Sequence, residues 1–283
     1  MTRWNLPHLL LLAALPPTAW AAHAAGWPPA LVLAAATLAM LAWLIGAERW
    51  WPHRGDWRPT SADLRRDGIF LGVNAVVDTG ASVLLHGAAI MIAAAGLGSG
   101  WASALPAWLQ WPLAVAVGEL GPYWLHRWAH RGGWGWRVHG VHHRPGALHA
   151  SNNLTTHPYN VLWNRLARTL PWLLLGFDAQ VLLAASLFIQ AQSFATHANV
   201  AGSLGPLARL IVSAEAHRWH HSTVLAEARN FGSAIPLWDQ LFGTWYLPPR
   251  PGPVQVGIAD QGWPAASDWR RLLLAPMCRR CAA

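Results

Sequence analysis

Long apolar runs dominate the first two thirds of the chain. Three of them, residues 28–46, 68–97 and 106–125, contain few charged side chains and alternate with polar loops. At 1.5 Å per residue, each run is long enough to cross about 30 Å of hydrocarbon as a helix. The pattern therefore predicts three transmembrane helices before residue 126.

A fourth apolar stretch, residues 166–197, is too long for one crossing and short for two full ones. Gly176, Phe177 and Asp178 interrupt it near the middle, and such a glycine marks a break in a helical pattern. We predict a helical hairpin that enters the bilayer and returns, which brings His197 back to the side on which the hairpin starts.

These elements predict an all-α integral membrane protein with about four transmembrane helices, the hairpin included, and a cytosolic helical cap. Residues 1–25 superficially resemble a signal peptide, but Pro16 and Pro17 interrupt the apolar run, which favours an uncleaved helix over a cleaved leader. The predicted segments are an N-terminal lead or extra helix (1–27), transmembrane helices (28–125), a first cap segment (126–165), the membrane hairpin (166–197) and a C-terminal cap and tail (198–283).

Composition supports the membrane assignment. Hydrophobic residues make up 54% of the chain and charged residues 11%, against about a quarter charged in a typical soluble domain. All 20 basic residues are arginine, and many lie in the loop after the first span or between residues 127 and 144. By the positive-inside rule both regions are cytoplasmic, which predicts a multi-pass protein with a cytoplasmic cap. These loops account for the net charge of +8, so no nucleic-acid partner is predicted.

Histidine is concentrated in three short motifs. Eleven of the 15 histidines lie between His126 and His221. Separations of three or four residues place side chains on one face of a helix, and neutral imidazole is the commonest protein ligand for metals. The motifs therefore predict a metal site. They are HRWAH, HGVHH and HRWHH, which contain His126, His130, His139, His142, His143, His217, His220 and His221.

The number of imidazoles predicts two metals rather than one, because a single zinc ion uses three or four protein ligands. His197, at the end of the predicted hairpin, adds a ninth imidazole to the eight of the motifs. His157, in the sequence TTHPY, is a further candidate, with an ordinary loop histidine as the alternative. His86 is expected to be packed or pore-facing, and His149 to be peripheral to the site or on the surface.

Only two cysteines occur, Cys278 and Cys281, in a CRRC motif near the end of the chain. A lone C-x-x-C in a tail is weak support for a metal or redox function. No disulfide framework is predicted, which agrees with a cytoplasmic cap.

In these residues the chain resembles the fatty acid hydroxylase superfamily, which includes sterol desaturases, ceramide hydroxylases and alkylglycerol monooxygenase. The resemblance extends over residues 47–249 and depends on an ordered series of motifs. It implies two iron ions under a cytosolic cap, with dioxygen as co-substrate, acting on an unactivated C–H bond of a membrane lipid. The motifs are ELGPYWLHRWAH, WRVHGVHH, TTHP, FATHANV, EAHRWHHS and NFGSAIPLWDQLFGTWYLP.

The resemblance also implies a ligand set. Ceramide hydroxylases have a second histidine four residues before the one that corresponds to His197, where this chain has Ser193. Sterol-type members instead have a histidine before proline, as His157 is here. This favours a sterol-type or general bacterial-type member. The implied ligands are His126, His130, His139, His142, His143, His157, His197, His217, His220 and His221.

Carboxylates near the motifs are candidates to orient the imidazoles through their second ring nitrogen. They are Glu119, about two helical turns before His126, together with Glu215 and Asp239. For each, an ordinary salt bridge to a nearby arginine is the alternative. Asn230 is a candidate to shape the site, and the rest of its motif is expected to be structural.

The leading functional hypothesis is an oxygen-dependent lipid hydroxylase or desaturase acting on a sterol-like or fatty acyl substrate. The sequence contains no dinucleotide fingerprint, so electrons are expected from an external cytochrome or ferredoxin-type donor. A histidine-rich metal transporter is the first alternative, but its ligands should lie within the spans rather than at their ends. A zinc-dependent membrane hydrolase is the second, and the absence of an H-E-x-x-H motif argues against it.

Overall fold

The computed structural model describes residues 4–249, 252–259 and 262–281; the extreme ends of the predicted segments 1–27 and 198–283 lie outside these ranges. The regular elements of the described residues are helical, with three isolated β-bridges and no β-strand, as predicted. Short 3₁₀ turns occupy Ala102–Ala104, Ala150–Leu154, Gly205–Arg209 and Ala275–Met277. The α-helices are α1 Leu6–Ala24, α2 Pro29–Trp50, α3 Ser61–Ala94, α4 Ala107–Ala129, α5 Gly133–His143, α6 Pro158–Leu175, α7 Ala179–His197, α8 Ala214–His220, α9 Leu237–Leu241 and α10 Trp269–Leu273.

Local sequence explains where several helices begin and end. Thr60 and Asp63 form a capping box at the start of α3, in which each side chain accepts the other's backbone N–H. The Ser213 hydroxyl accepts the Ala216 N–H at 3.1 Å and caps α8. Gly176 ends α6 at φ +71°, a left-handed conformation that glycine adopts without strain.

The long helices run alternately between two ends of the molecule. At one end, which we call the histidine end, the backbone after α2 pairs with the backbone after α7: Ala201 N donates to Trp51 O at 2.8 Å. At the other, the far end, Ser99 N donates to Leu174 O at 2.9 Å. The histidine end contains residues 51–60, 130–157 and 198–249, and the far end contains residues 25–28, 95–106 and 176–178.

Among the residues that the structure describes, three helices are long and apolar enough to cross a membrane: Pro29–Trp50, Ser61–Ala94 and Ala179–His197. The last is the returning arm of the predicted hairpin, whose turn lies at the predicted break. Its first arm, α6, begins at Pro158 rather than near residue 166, and contains Arg165 and Arg168. Helix α4 covers the predicted third span and contains Glu119. Because α4 and α6 are less apolar, the crossing by four helices stays a prediction.

Helix α3 is the longest element, at 34 residues. Its first turns contain a buried ion pair in which Arg66 Nη2 lies 2.7 Å from Asp67 Oδ1. The Asp67 carboxylate also accepts the hydroxyls of Thr155 at 2.6 Å and Ser151 at 2.8 Å. His149, expected to be peripheral or on the surface, is buried beside this carboxylate. These bonds fix the segment between α5 and α6 to α3.

Residues 6–24 form a helix that packs against α7 and α2 in the main apolar core. Buried His8 forms a short hydrogen bond with Gln192 of α7, and the Gln192 amide donates to Ala234 O at 2.9 Å. The N-terminal helix is therefore joined by polar bonds to α7 and, through Gln192, to the segment before α9. Whether residues 1–25 are cleaved stays a prediction.

The C-terminal segment covers the back of α5. The Trp263 ring fills the space that a side chain at Gly140 would need, because a Cβ atom there would lie 2.4 Å from that ring. Cys278 and Cys281 form a disulfide, which the sequence analysis did not predict. The turn between them brings their Cα atoms to 5.5 Å, a separation that a disulfide spans.

Candidate metal centre

Nine of the ten histidines implied as ligands converge in two groups at the histidine end. In each group every residue contributes one ring nitrogen, and these nitrogens lie within 4.8 Å of one another. The five-histidine group contains His126, His130, His139, His143 and His220. The four-histidine group contains His142, His197, His217 and His221.

The sequence brings these rings together through three helices and the hairpin. Helix α4 carries His126 in its last turn and is followed directly by His130, and the hairpin returns His197 at the end of α7. The two H-x-x-H-H motifs form the last turn of α5 and the end of α8. Because their histidines are at i, i+3 and i+4, each motif presents all three rings toward the same interior region.

In the four-histidine group the Nε2 atoms approach one another closely. His197 Nε2 lies 2.9 Å from His142 Nε2 and 3.0 Å from His217 Nε2. His221 Nε2 lies 3.1 Å from His217 Nε2. Four nitrogens therefore face one small volume.

The hydrogen bonds of the Nδ1 atoms, the other nitrogen of each ring, indicate what can occupy that volume. His197 Nδ1 lies 2.8 Å from Ser193 O, and His142 Nδ1 lies 3.3 Å from Thr155 O. A carbonyl oxygen can only accept, so both Nδ1 atoms carry the proton and both Nε2 atoms present lone pairs. Lone pairs that face each other at 2.9 Å repel unless a cation lies between them. The donor set of this group therefore fits a metal ion.

The five-histidine group has the same chemistry. His126 Nδ1 donates to Phe231 O and His220 Nδ1 to Arg229 O, both at 2.8 Å, and His139 Nδ1 lies 2.7 Å from Asn160 Oδ1. The Nε2 atoms of His126, His130 and His220 are buried and have no hydrogen-bond partner within the described residues. Buried polar atoms are rarely left unpaired, and a metal ion would satisfy these three.

The two groups are in direct contact. The rings of His143 and His221 stack with their centroids 4.2 Å apart. The motif of α5 supplies two rings to the five-histidine group and one ring to the four-histidine group. The motif of α8 supplies one ring to the five-histidine group and two rings to the four-histidine group. Neither motif is therefore a site by itself, because each contributes to both groups.

Burial keeps the rings neutral. Desolvation, followed by repulsion from neighbouring rings, holds the pKa well below 6.5 for five histidines outside the membrane-spanning helices. A neutral imidazole is the form that binds a metal. The five are His139, His143, His217, His220 and His221.

His157, implied as a tenth ligand, lies outside both groups. Its Nε2 is 3.1 Å from Leu273 O, and its Nδ1 accepts the Tyr159 N–H at 3.2 Å, which caps α6. Both ring nitrogens are thus bound to the protein backbone. In this arrangement His157 joins α6 to the C-terminal segment rather than facing a metal.

The three candidate carboxylates do not contact a histidine ring directly. Glu119 pairs with Arg168 at 3.0 Å and accepts backbone N–H groups from Ser233 and Ala234. Asp239 accepts those of Phe231 and Gly232. Both carboxylates therefore act on the segment that contains the Phe231 carbonyl. Glu215 lies in the first turn of α8. Burial lowers the pKa of Arg218 to about 10, and the negative charge of Glu215 opposes that shift.

The acceptors that orient the rings were not predicted from sequence. Four of them are backbone carbonyls, which the amino-acid sequence does not distinguish: those of Thr155, Ser193, Arg229 and Phe231. The fifth is the Asn160 amide oxygen, three residues after His157, and its position one turn into α6 was the signal that could have found it.

Comparison with known proteins agrees with the site. Residues 111–244, which contain both histidine groups, match the fatty acid hydroxylase family. The chain is 35% identical over 178 residues to the ornithine lipid hydroxylase of Rhizobium tropici, covering 60% of this chain and 53% of that protein. It is 28% identical over 145 residues to the alkylglycerol monooxygenase of Danio rerio, covering 49% and 31%.

The human alkylglycerol monooxygenase is 26% identical over 141 residues, which cover 48% of this chain and 30% of that protein. The chain thus spans about half the length of the rhizobial relative and about a third of the two alkylglycerol monooxygenases. No solved structure matches the chain.

Proposed function

We propose that this protein is an oxygen-dependent oxidoreductase that hydroxylates a membrane lipid, on the premise that residues 111–244 match the fatty acid hydroxylase family. The supporting observation is the convergence of nine neutral imidazoles in two touching groups, with lone pairs that face each other. A pair of like metal ions fits this donor set better than one ion does.

Iron is the metal that we assign to both groups. Two iron ions would supply the redox chemistry with dioxygen that zinc cannot, and imidazole ligands suit iron. The five-histidine group would hold one ion and the four-histidine group the other. Because all nine ligands would be neutral, the protein ligands would leave the charge of two divalent ions without an offset.

The names of the relatives support hydroxylation over desaturation, because one is an ornithine lipid hydroxylase and the others are alkylglycerol monooxygenases. Both names describe lipids with a polar head. We therefore propose a polar membrane lipid as the substrate and the insertion of oxygen as the reaction.

The chain's own residues exclude water and fix the rings. The Trp136 ring lies 5.2 Å from the His130 ring and 5.4 Å from the His143 ring, and it is 5% exposed. Behind it, Trp263 packs against Trp136 at 6.2 Å. This aromatic wall separates the site from solvent on the side of the C-terminal segment, so an oxidant formed there would be protected from water.

We propose that the protein is multi-pass, with its histidine end on the cytoplasmic side. Arginine is absent from the far-end segments 25–28, 95–106 and 176–178, whereas Arg54, Arg131 and Arg144 lie at the histidine end. This distribution matches the positive-inside rule. An external electron donor of the cytochrome or ferredoxin type would then dock at the histidine end.

Metal analysis and turnover test the proposal together. The protein would be purified anaerobically, its metals counted, and oxygen uptake followed with an ornithine lipid and an alkylglycerol as probes. Two iron ions per chain and oxygen uptake that depends on one of these lipids are expected. One zinc ion per chain without redox activity would contradict the proposal.

A further inference from the structure

The segment from Arg229 to Ala234 orients part of the metal centre through its backbone. Arg229 O accepts the proton of His220 Nδ1, and Phe231 O accepts that of His126 Nδ1, both at 2.8 Å. Each bond fixes one ring of the five-histidine group with its Nε2 directed at the other ligands. The two carbonyls flank a single residue, Asn230.

Asn230 has an unusual backbone conformation. Its φ is +60°, and it is the one non-glycine residue with positive φ in the part of the chain that the structure describes. Asparagine enters this left-handed region more readily than most residues, and such conformations persist only where the surroundings hold them. The strain lies directly between the two carbonyls that bind histidines.

Three side-chain bonds hold Asn230 in place. Its Nδ2 donates to Ala216 O at 2.9 Å and to Tyr246 O at 2.7 Å, and its Oδ1 accepts the Tyr246 N–H at 2.7 Å. The residue is 1% exposed. Ala216 lies on α8, directly before His217, so these bonds also join the segment to the helix that carries His220.

Two buried carboxylates hold the rest of the segment. Asp239 accepts the N–H groups of Phe231 at 2.7 Å and Gly232 at 2.8 Å. Glu119 accepts those of Ser233 at 3.0 Å and Ala234 at 2.8 Å. Four successive peptide N–H groups thus make charge-assisted hydrogen bonds, which are the stronger kind. These bonds satisfy the backbone of a segment that has no regular secondary structure.

The four-histidine group is oriented by other parts of the chain. His197 Nδ1 bonds to Ser193 O within α7, and His142 Nδ1 lies 3.3 Å from both Thr155 O and Thr156 Oγ1. No hydrogen bond described in the structure joins residues 229–234 to a ring of this group. Through hydrogen bonds to rings, the segment therefore acts on the five-histidine group only, and its bond to α8 is to the Ala216 carbonyl rather than to a ring.

We propose that Asn230 is a positioning residue for one of the two metals: by fixing the Arg229 and Phe231 carbonyls, it sets the metal affinity of the five-histidine group separately from that of the four-histidine group. The proposal depends on the proposed function only in requiring a metal in each group. The two groups share the same helices, but only the metal affinity of the five-histidine group should depend on this segment.

Cobalt(II) titration of the metal-free full-length protein in detergent tests the proposal, because cobalt has visible absorption bands and needs no turnover. The wild-type protein is expected to bind two ions. In Asn230→Ala one ion should bind about 10–100-fold more weakly, the usual effect of losing an outer partner, while the other is unchanged. In Asn230→Gly the affinity of the weakened site should lie between the wild-type and Asn230→Ala values, because glycine adopts the backbone conformation but loses the side-chain bonds.

Asn199→Ala is the matched control. Asn199 is also buried at the histidine end and also joins two backbone segments, through bonds to the N–H and the carbonyl of Arg54. It does not bond to residues 229–234, so both cobalt sites should keep their affinity. Equal weakening of both sites in Asn230→Ala, or of neither, would overturn the proposal.

Thr244→Val keeps the test informative if Asn230→Ala does not fold. The Thr244 hydroxyl donates to Asp239 Oδ1 at 2.6 Å and does not touch the segment's backbone through its side chain. A smaller weakening of the same single cobalt site is expected. A wild-type protein that binds only one cobalt ion would contradict the two-metal site itself, whereas normal titration without lipid oxidation would contradict only the proposed activity.

Discussion

The two histidine groups lie side by side but depend on different supports. The five-histidine group is oriented by an irregular segment that two carboxylates hold, at Glu119 and Asp239. The four-histidine group is oriented by a carbonyl of helix α7, at Ser193, and by the carbonyl of Thr155, the residue directly after a short 3₁₀ turn. Regular structure satisfies its own backbone, whereas an irregular segment needs partners from elsewhere. The first group should therefore be the easier one to disturb without unfolding the protein.

Removing a ring is the largest disturbance. His142→Ala takes one of four nitrogens from the four-histidine group, and His139→Ala takes one of five from the other. We expect both to abolish turnover, with His142→Ala losing more metal because fewer ligands remain. Iron content and lipid-dependent oxygen uptake of the purified variants measure this. Retained activity in His142→Ala would show that its group is not a ligand set.

Acid should destabilise the metal-free protein through both groups. Burial holds the pKa of His139 and His217 well below 6.5 in the folded state, while the unfolded chain binds protons near 6.5. The unfolded state then binds more protons, so the free energy of unfolding falls as pH drops through 6.5. Each ring contributes up to about 1.4 kcal/mol per pH unit.

Urea unfolding in detergent between about pH 8 and pH 5 measures this slope. His139→Phe and His217→Phe should each reduce it by a similar amount, because both rings are fully buried. If the slope is unchanged in one variant, the ring replaced in that variant is solvated. If the free energy of unfolding rises in acid, the rings are not buried in their neutral form.

Loosening the irregular segment should affect one group only. Glu119→Gln weakens the acceptor of the Ser233 and Ala234 N–H groups and leaves Arg168 without its ion pair. We expect a roughly 10-fold loss of metal affinity in the five-histidine group. Glu215→Gln is the control, because Glu215 lies on α8 away from those N–H groups. Loss of the same metal in both variants would mean that general charge, not the segment, is responsible.

The smallest effect on metal binding is expected for His157→Asn. The change removes the bond to Leu273 O, which should lower the free energy of unfolding by about 1 kcal/mol. Both metals should remain, because the ring faces neither group. Loss of a metal from this variant would show that His157 is a ligand, and that the ligands are not limited to the five-histidine and four-histidine groups.

Helix periodicity carried most of what the sequence could predict about the site. The i, i+3, i+4 spacing placed His139, His142 and His143 on one face, and the break at Gly176 returned His197 to them. The division between groups could not be predicted. His142 and His143 point about 100° apart on α5. Which group each ring joins depends on its contacts in the folded chain, with His197 for His142 and with His130 for His143.

Contacts between distant segments were the other part that the sequence could not supply. His8 binds Gln192, 184 residues away, and no periodicity connects them. The segment around Asn230 was expected to be mainly structural, yet its carbonyls hold two histidines. Every residue has a backbone carbonyl, so the sequence does not show which carbonyls accept hydrogen bonds from the histidines.

The length of α3 has a consequence for the surrounding lipid. Its 34 residues measure about 51 Å, well over the roughly 30 Å of a bilayer core, so a change in bilayer thickness changes how α3 tilts. The Arg66–Asp67 pair on its first turns binds Thr155, whose carbonyl orients His142. We therefore expect acyl-chain length to affect His142, a proposed metal ligand, and turnover in vesicles of graded chain length to pass through an optimum.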